Sequence, residues 1–382
     1  MHNAVNYTHI NVIIVTTYYC NMNCIYCYNN REIHERKEKI SIETVRKLFE
    51  ITIPFYKHIH FLWHGGEPLS LGKKFYEKII DMQDEINIYG TEITNSIQTN
   101  LTLIDRSMAE FIVKNNIKVG SSYDGISNEQ TRHCSRQILD GHNLLKSWGG
   151  HNGFIYVVQR KNIDYLIEDY EWFKKRHIGY NHNMYLASYP CEEDPLFVEP
   201  KYFAEKMCEL FDYWIVDKEC DIHLNYFEIV LDYILLGHKS LCCYNDCLGK
   251  HIGIRYDGSI YGCNRDMPTD FTYGNVYDYK NIRECFDSEG FNKCLSQAIM
   301  RRQKCIETCE IFGFCHGGCN NVALQKGNIM NPNIPSCIAL RLVYNHIEEY
   351  IERTCKKNIE EISNVLNPVV VPYFKKILNN KC

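Results

Sequence analysis

From residue 9 to about 218, short runs of β-branched and aromatic residues alternate with longer stretches in which apolar residues recur at helical spacing. The runs 10–16 (INVIIVT), 58–63 (HIHFLW), 92–98 (EITNSIQ), 117–122 (IKVGSS), 153–159 (GFIYVVQ) and 182–187 (HNMYLA) predict six strands. The first helix should begin at Ser41, whose hydroxyl can cap it; Glu43 suits its positive end, and Val45, Leu48 and Phe49 share one face. Further helices are expected near 72–87, 104–115, 137–147, 163–176 and 200–217. This alternation predicts βαβ units and a parallel sheet. Right-handed crossovers curve such a sheet into a barrel or part of one, with ligand sites at the C-terminal strand ends.

The acidic, proline-interrupted segment 190–199 (PCEEDPLFVE) reads as a surface loop. After about residue 240 cysteine and glycine become frequent and periodicity fades, so a second domain of loops tied by metal or sulfur is expected. Beyond Cys337, the stripe Leu340, Val343, Tyr344, Ile347 and Ile351 predicts an amphipathic helix packed back on the body. The segment Ile229 to Leu236 is apolar but short, and it contains Asp232.

A length of 382 residues suggests two or three domains, and 45% hydrophobic with 23% charged residues is ordinary for a folded chain. The formal net charge of -5 supplies no basic field for a nucleic-acid backbone or an anionic membrane, and neither partner is expected. The N-terminal residues lack the pattern of a secretory signal, which points to the cytoplasm. Against this background the 20 cysteines stand out. In a reducing compartment, dense cysteine clusters point to metal or redox chemistry more than to disulfides.

Cys20, Cys24 and Cys27 form C-x3-C-x2-C just after the first strand. Three thiolates in one loop can ligate three irons of a [4Fe-4S] cubane and leave the fourth iron open to chelate a ligand. Zinc is the alternative, but it takes four ligands and no obvious fourth follows Cys27 closely. The second strand ends in Trp63-His64-Gly65-Gly66-Glu67-Pro68-Leu69, where paired glycines permit close backbone approach and a carboxylate can receive an ammonium. Gln98-Thr99-Asn100 and Ser121-Ser122-Tyr123-Asp124-Gly125 end the third and fourth strands. Farther on, Cys247, Gly258 and Cys263 stand as C-x10-G-x4-C around a tight hairpin over 255–262, followed by Cys305, Cys309, Cys315, Cys319 and Cys337. Zinc ribbons use similar cysteine pairs.

Taken in order, these motifs resemble those of the radical S-adenosylmethionine (radical SAM) superfamily followed by a SPASM domain, over about residues 10–340. The resemblance implies a partial (β/α)6 TIM-like barrel over 1–235, a cysteine-rich SPASM domain over 236–340 and a helical tail over 341–382. It implies that Cys20, Cys24 and Cys27 hold the SAM-binding cluster, with Tyr26 beside the adenine. Gly65, Gly66, Glu67 and Pro68 resemble the motif that binds the SAM amino group; Gln98 and Asn100 match a second motif, and Ser122 lies near the ribose. Arg132, or its rival Arg136, would hold the SAM carboxylate. Two auxiliary [4Fe-4S] clusters are implied, one on Cys247, Cys263, Cys319 and either Cys242 or Cys243, the other on Cys305, Cys309, Cys315 and Cys337. Three residues separate Cys305 from Cys309, where the family usually has two.

The implied chemistry is reductive cleavage of SAM to a 5′-deoxyadenosyl radical, fed by a donor such as flavodoxin or ferredoxin, and net oxidation of a peptide or protein substrate. Crosslinking of a ribosomally made peptide through carbon-carbon or carbon-sulfur bonds is the favoured reading. Sulfatase maturation to formylglycine comes second, because Asn264 follows Cys263 where those enzymes generally carry an aspartate base. Epimerisation is third, and a non-catalytic iron-sulfur protein is disfavoured. With its cluster loop starting at residue 20, the chain leaves no room ahead of it for a peptide-recognition domain, so a leader is expected on the barrel, the tail or another protein.

Overall fold

A computed structural model describes residues 8–29, 37–185, 194–242, 244–245, 247–265, 268–325, 328–332 and 335–379. The chain separates into two compact units that are discontinuous in sequence. The first comprises 1–121, 132–152 and 246–300, and the second 122–131, 153–245 and 301–382.

In the first unit, β1 (His9–Val15), β2 (His58–His64), β3 (Glu92–Gln98) and β4 (Lys118–Ser122) are parallel neighbours in that order. Each return is made by a helix: α1 (Ile42–Thr52), α2 (Lys73–Ile86) and α3 (Arg106–Lys114). Ser41 caps α1 as expected, its Oγ accepting from Thr44 N at 3.0 Å. Register places Ile10, Val12 and Ile14 beside Ile59, Phe61 and Trp63, all buried. Phe49 of α1 lies 4.9 Å from Phe61, and Trp63 meets Tyr76 of α2 edge-on at 6.0 Å. This apolar face is the helix side of the sheet, and the alternate residues, including His60 and His64, face the other way. Helix α4 (Ser135–Ser147) also belongs to this unit.

The expected hairpin is present, but its first strand also joins this sheet. Strand β7 (His251–Ile254) pairs with β1 in parallel and with β8 (Ile260–Tyr261) in antiparallel. Gly258 makes the turn at φ +85°, its N–H donating to Arg255 O at 2.9 Å.

The second unit contains parallel β5 (Asn152–Val158, from Gly153) and β6 (Tyr180–Met184). Its helices include α5 (Leu166–Lys174), α6 (Pro200–Ile215) and α7 (Asn225–Leu236). The expected amphipathic helix is α9 (Pro335–Thr354): Val343, Ile347 and Ile351 are buried, and the helix packs along α6, with Tyr350 edge-on to Phe211 at 5.5 Å. The expectation of loops after residue 240 is corrected by α8 (Glu289–Thr308), a helix of 20 residues. Its buried face is Phe291, Cys294, Ala298, Arg301 and Cys305, spaced alternately by three and four residues. Among the described residues no helix is long and apolar enough to cross a membrane, and no disulfide links the described cysteines.

Candidate active site

The ends of β1 and β2 run together. Thr16 N donates to His64 O (2.9 Å), Gly66 N to Thr17 O (2.8 Å) and Glu67 N to Tyr19 O (2.7 Å). A Cβ on Gly65, where φ is +130°, would lie 2.3 Å from Thr17 O, and one on Gly66 would lie 2.2 Å from Tyr19 O. The glycine pair therefore serves first to let the segment after β2 lie against the backbone that leads into Cys20.

Glu67 is fully buried. Its Oε1 accepts from Leu69 N (2.9 Å) and Thr99 Oγ1 (2.7 Å), and its Oε2 from Asn100 N (2.7 Å). Burial pushes its pKa up to about 7, against the pull of these donors and of Arg132. A carboxylate offers about four lone-pair positions, so capacity for one more donor remains. Pro68 is buried, and its carbonyl accepts from Tyr76 Oη at 2.8 Å.

Asn100 ties β3 to the cysteine loop: its Nδ2 donates to Asn21 Oδ1 at 2.8 Å and approaches Cys20 Sγ at 3.9 Å. The sequence gives no sign of the Asn21 contact, because 79 residues separate the partners. Gln98 ends β3 beside Gly120, where a Cβ would meet Gln98 Oε1 at 2.3 Å. Ser122 ends β4. The turn after it is held by Asp124, which accepts from Val157 N (3.0 Å) and Thr131 Oγ1 (2.7 Å).

Arg132 Nη1 donates to Tyr26 Oη at 2.9 Å, and its guanidinium lies 5.9 Å from the Tyr26 ring centroid. Arg136 instead has a side chain 92% exposed and pairs with Asp140 at 3.7 Å. Arg132 is thus the arginine that meets the cysteine loop. His64 Nδ1 accepts from Gly65 N at 2.7 Å, which leaves the ring proton on Nε2. Burial, with Arg265 adding to it, holds the His64 pKa down at about 4.

Burial pushes the Cys20 thiol up to about 12 and Cys27 up to about 11; Cys20 senses the charges of Cys24 and Cys27, and Cys27 that of Cys24. Thiols so placed stay protonated unless a metal displaces the proton. Among the described residues no three His, Cys, Asp or Glu side chains converge on a single-ion position. Three cysteine sulfurs in one loop match the donor set of a cubane, which binds each through a different iron, whereas a zinc site takes four ligands.

In the first unit, Cys247 and Cys263 bracket the β7–β8 hairpin. The Cys247 carbonyl accepts from His251 N at 3.0 Å, and a Cβ on Gly253 would lie 2.3 Å from Cys263 O. Cys263 Sγ lies 3.3 Å from Asn264 Oδ1. In the second unit, Cys305, Cys309, Cys315 and Cys337 gather: Cys309 N donates to Cys305 O at 2.9 Å, and Cys315 senses the other three. The three-residue separation of Cys305 and Cys309 is one helical turn at the end of α8, which keeps both on one face. Also in that unit, Cys319 is half-buried beside Val322 and Ala323, and Cys242 is exposed. Cys243 lies outside the described residues.

The sequence profile of the radical SAM superfamily matches residues 14–173, a span that contains Cys20, Cys24, Cys27, Glu67 and Arg132. The chain belongs to the radical SAM superfamily. Membership implies use of SAM and a [4Fe-4S] cluster. A cysteine-type anaerobic sulfatase-maturating enzyme of Clostridium perfringens is 27% identical over 374 residues, covering 91% of this chain and 96% of that protein. The radical SAM cyclopropyl synthase TigE of Paramaledivibacter caminithermalis is 24% identical, covering 91% of this chain and 76% of that one. The solved structure of native anSMEcpe with bound AdoMet and Cp18Cys peptide superposes with a TM-score of 0.80 at 23% identity, over 90% of this chain and 98% of that one. The fold class is therefore the expected one, a partial barrel followed by a cysteine-rich domain and a C-terminal helix.

Proposed function

We propose that this radical SAM protein is an oxidoreductase acting on a side chain of a peptide or protein, in the manner of the sulfatase-maturating enzymes. The observation that carries this reading is the similarity to the clostridial enzyme over 91% of this chain and 96% of that one. It supports formylglycine formation ahead of peptide crosslinking, the reverse of the order that the sequence favours.

Bound SAM, with an electron delivered through the cluster, supplies a radical able to take hydrogen from an unactivated carbon. The chain's residues hold and orient. Cys20, Cys24 and Cys27 carry the cluster; Tyr26 faces the adenine; Gly65, Gly66, Glu67 and Pro68 receive the ammonium. Arg132 takes the carboxylate, and Gln98, Asn100 and Ser122 border the cofactor. Two auxiliary clusters complete the set, one on Cys247, Cys263, Cys319 and Cys242 or Cys243, the other on Cys305, Cys309, Cys315 and Cys337. A flavodoxin or ferredoxin serves as donor. The barrel spans 1–235, the auxiliary-cluster domain 236–340 and the tail 341–382.

Glu67→Gln is expected to weaken SAM binding at least tenfold with iron content unchanged, since a hydrogen bond between charged groups contributes about 1.5 to 3 kcal/mol. The folded pKa is raised from 4.5 to about 7, so the unliganded fold keeps a proton there that the unfolded chain has lost. The stability this contributes is complete below 4.5 and is lost as pH rises through about 7. SAM needs the ionised carboxylate, so wild-type affinity should climb through the same pH and then level. Calorimetric titration at several pH values checks both points, and equal dissociation constants at pH 8 would remove Glu67 from the site.

Formylglycine formation needs a base for the thiol or hydroxyl proton, and the Asn264 amide is none at neutral pH. His64 Nε2 already carries its proton. Asp266, outside the described residues, is the nearest carboxylate in sequence, and Asp266→Asn is expected to slow aldehyde formation about a hundredfold or more on a sulfatase-motif peptide. Asn264 favours the second reading. No aldehyde on that peptide, with loss of two hydrogens from a precursor peptide by mass spectrometry, would establish crosslinking instead.

A further inference from the structure

Arg301 is a buried cation within the cysteine-rich part of the second unit. Its side chain is fully buried on α8, one turn before Cys305. Nη1 donates to Ile329 O at 2.7 Å, and Nη2 donates to Gly318 O at 3.1 Å and to Asn320 Oδ1 at 2.5 Å. Two of these acceptors stand on either side of Cys319. The Gly318 carbonyl ends a run in which His316, Gly317 and Gly318 have φ of +53°, +87° and +70°, three successive left-handed residues between Cys315 and Cys319. Such a run is unfavourable at a non-glycine residue and needs fixing from outside. Arg301 supplies that fixing from a rigid helix.

A guanidinium stays charged at every accessible pH, and a buried charge is tolerated where opposite charge lies close. Arg301 and Cys305 stand four residues apart on the buried face of α8, so the guanidinium and the Cys305 sulfur lie on the same side of the helix. A cubane held by four thiolates is a net anion, and one-electron reduction makes it more so. A fixed neighbouring cation therefore favours the reduced state.

We propose that Arg301 is a positioning residue of the auxiliary-cluster region, fixing the Cys315–Cys319 loop and raising the reduction potential of the cluster held by Cys305, Cys309, Cys315 and Cys337. The proposal rests on the cluster assignment of the preceding subsection.

The test uses the full chain with Cys20, Cys24 and Cys27 replaced by alanine, reconstituted anaerobically, so that about eight irons in two auxiliary clusters remain. Midpoint potentials are read by EPR-monitored reductive titration, and the signal lost in an added Cys309→Ala variant identifies the second cluster. Arg301→Gln is expected to shift that signal to lower potential, and Arg301→Lys, which keeps the charge, to restore most of the shift. Asn320→Ala removes one acceptor but no charge and should leave the potential in place. Parental potential and iron content in Arg301→Gln would overturn the proposal, as would an Arg301→Lys displaced as far as Arg301→Gln. If Arg301→Gln takes up no second cluster, Arg301→Lys decides: uptake at near-parental potential supports the proposal, and failure in both overturns the role of charge. A parent chain that binds zinc, or far less iron, refutes the cluster assignment itself and is recognised before any arginine variant is made.

Discussion

Replacing Cys20, Cys24 and Cys27 together with alanine should lower the iron content of the anaerobically reconstituted protein from about twelve to about eight per chain and abolish 5′-deoxyadenosine formation. The three sulfurs share one loop after β1, whereas Cys247 and Cys263 bracket the separate β7–β8 hairpin and Cys305, Cys309, Cys315 and Cys337 gather in the other compact unit. Loss of the first group should therefore leave the rest of the iron in place. Iron analysis and chromatography of the nucleoside product check the two halves separately. Retention of all the iron, or continued nucleoside release, would show that these thiolates do not hold the cluster that acts on SAM.

Gly66→Ala should be among the most damaging single-methyl changes at the site. The added Cβ would stand 2.2 Å from Tyr19 O and 2.4 Å from Tyr18 O, and both are backbone atoms that cannot swing aside. Overpacking of this kind costs about 1 to 3 kcal/mol, and a backbone obstacle puts Gly66 at the upper end. Relief requires the loop into Cys20 to move, so about four irons should be lost as well. Gly153→Ala is the control: nothing lies within 4 Å of its Cβ position, and its effect should stay within about 0.5 kcal/mol. Denaturant midpoints and iron content measured side by side decide the matter; a Gly66→Ala protein equal to wild type in both would mean that the two strand-end segments part easily.

Strand alternation made most of the first unit readable. Ile10, Val12 and Ile14, or Ile59, Phe61 and Trp63, bury one side of a strand and leave the other polar, and β1 to β4 begin and end within one residue of the runs read from sequence. Strand β6 begins at Tyr180, two residues before its expected start, because Tyr180 is fixed from outside the run: its N–H donates to His223 O at 3.0 Å and its ring stacks on Phe173 at 4.1 Å. Helix α8 escaped reading because its buried stripe uses Cys294, Arg301 and Cys305, residue types that signal ligands or solvent rather than a core. The site was legible as a set of motifs but not as a mechanism of assembly. That Asn100 fastens to Asn21 and that Arg132 meets Tyr26 depends on loop geometry, for which hydrophobic periodicity carries no information.

The β7–β8 hairpin bears on how this protein can be cut. Strand β7 hydrogen-bonds along Asn11 to Ile14 of β1, the strand that delivers the chain to Cys20. A fragment ending near residue 235 would lose that neighbour and present β1 as a naked edge, with backbone donors and acceptors ready to pair with another molecule. Recombining this barrel with the cysteine-rich segment of a relative would meet the same obstacle, because the incoming segment must bring a strand that matches β1. The portable unit is therefore the barrel together with its late hairpin.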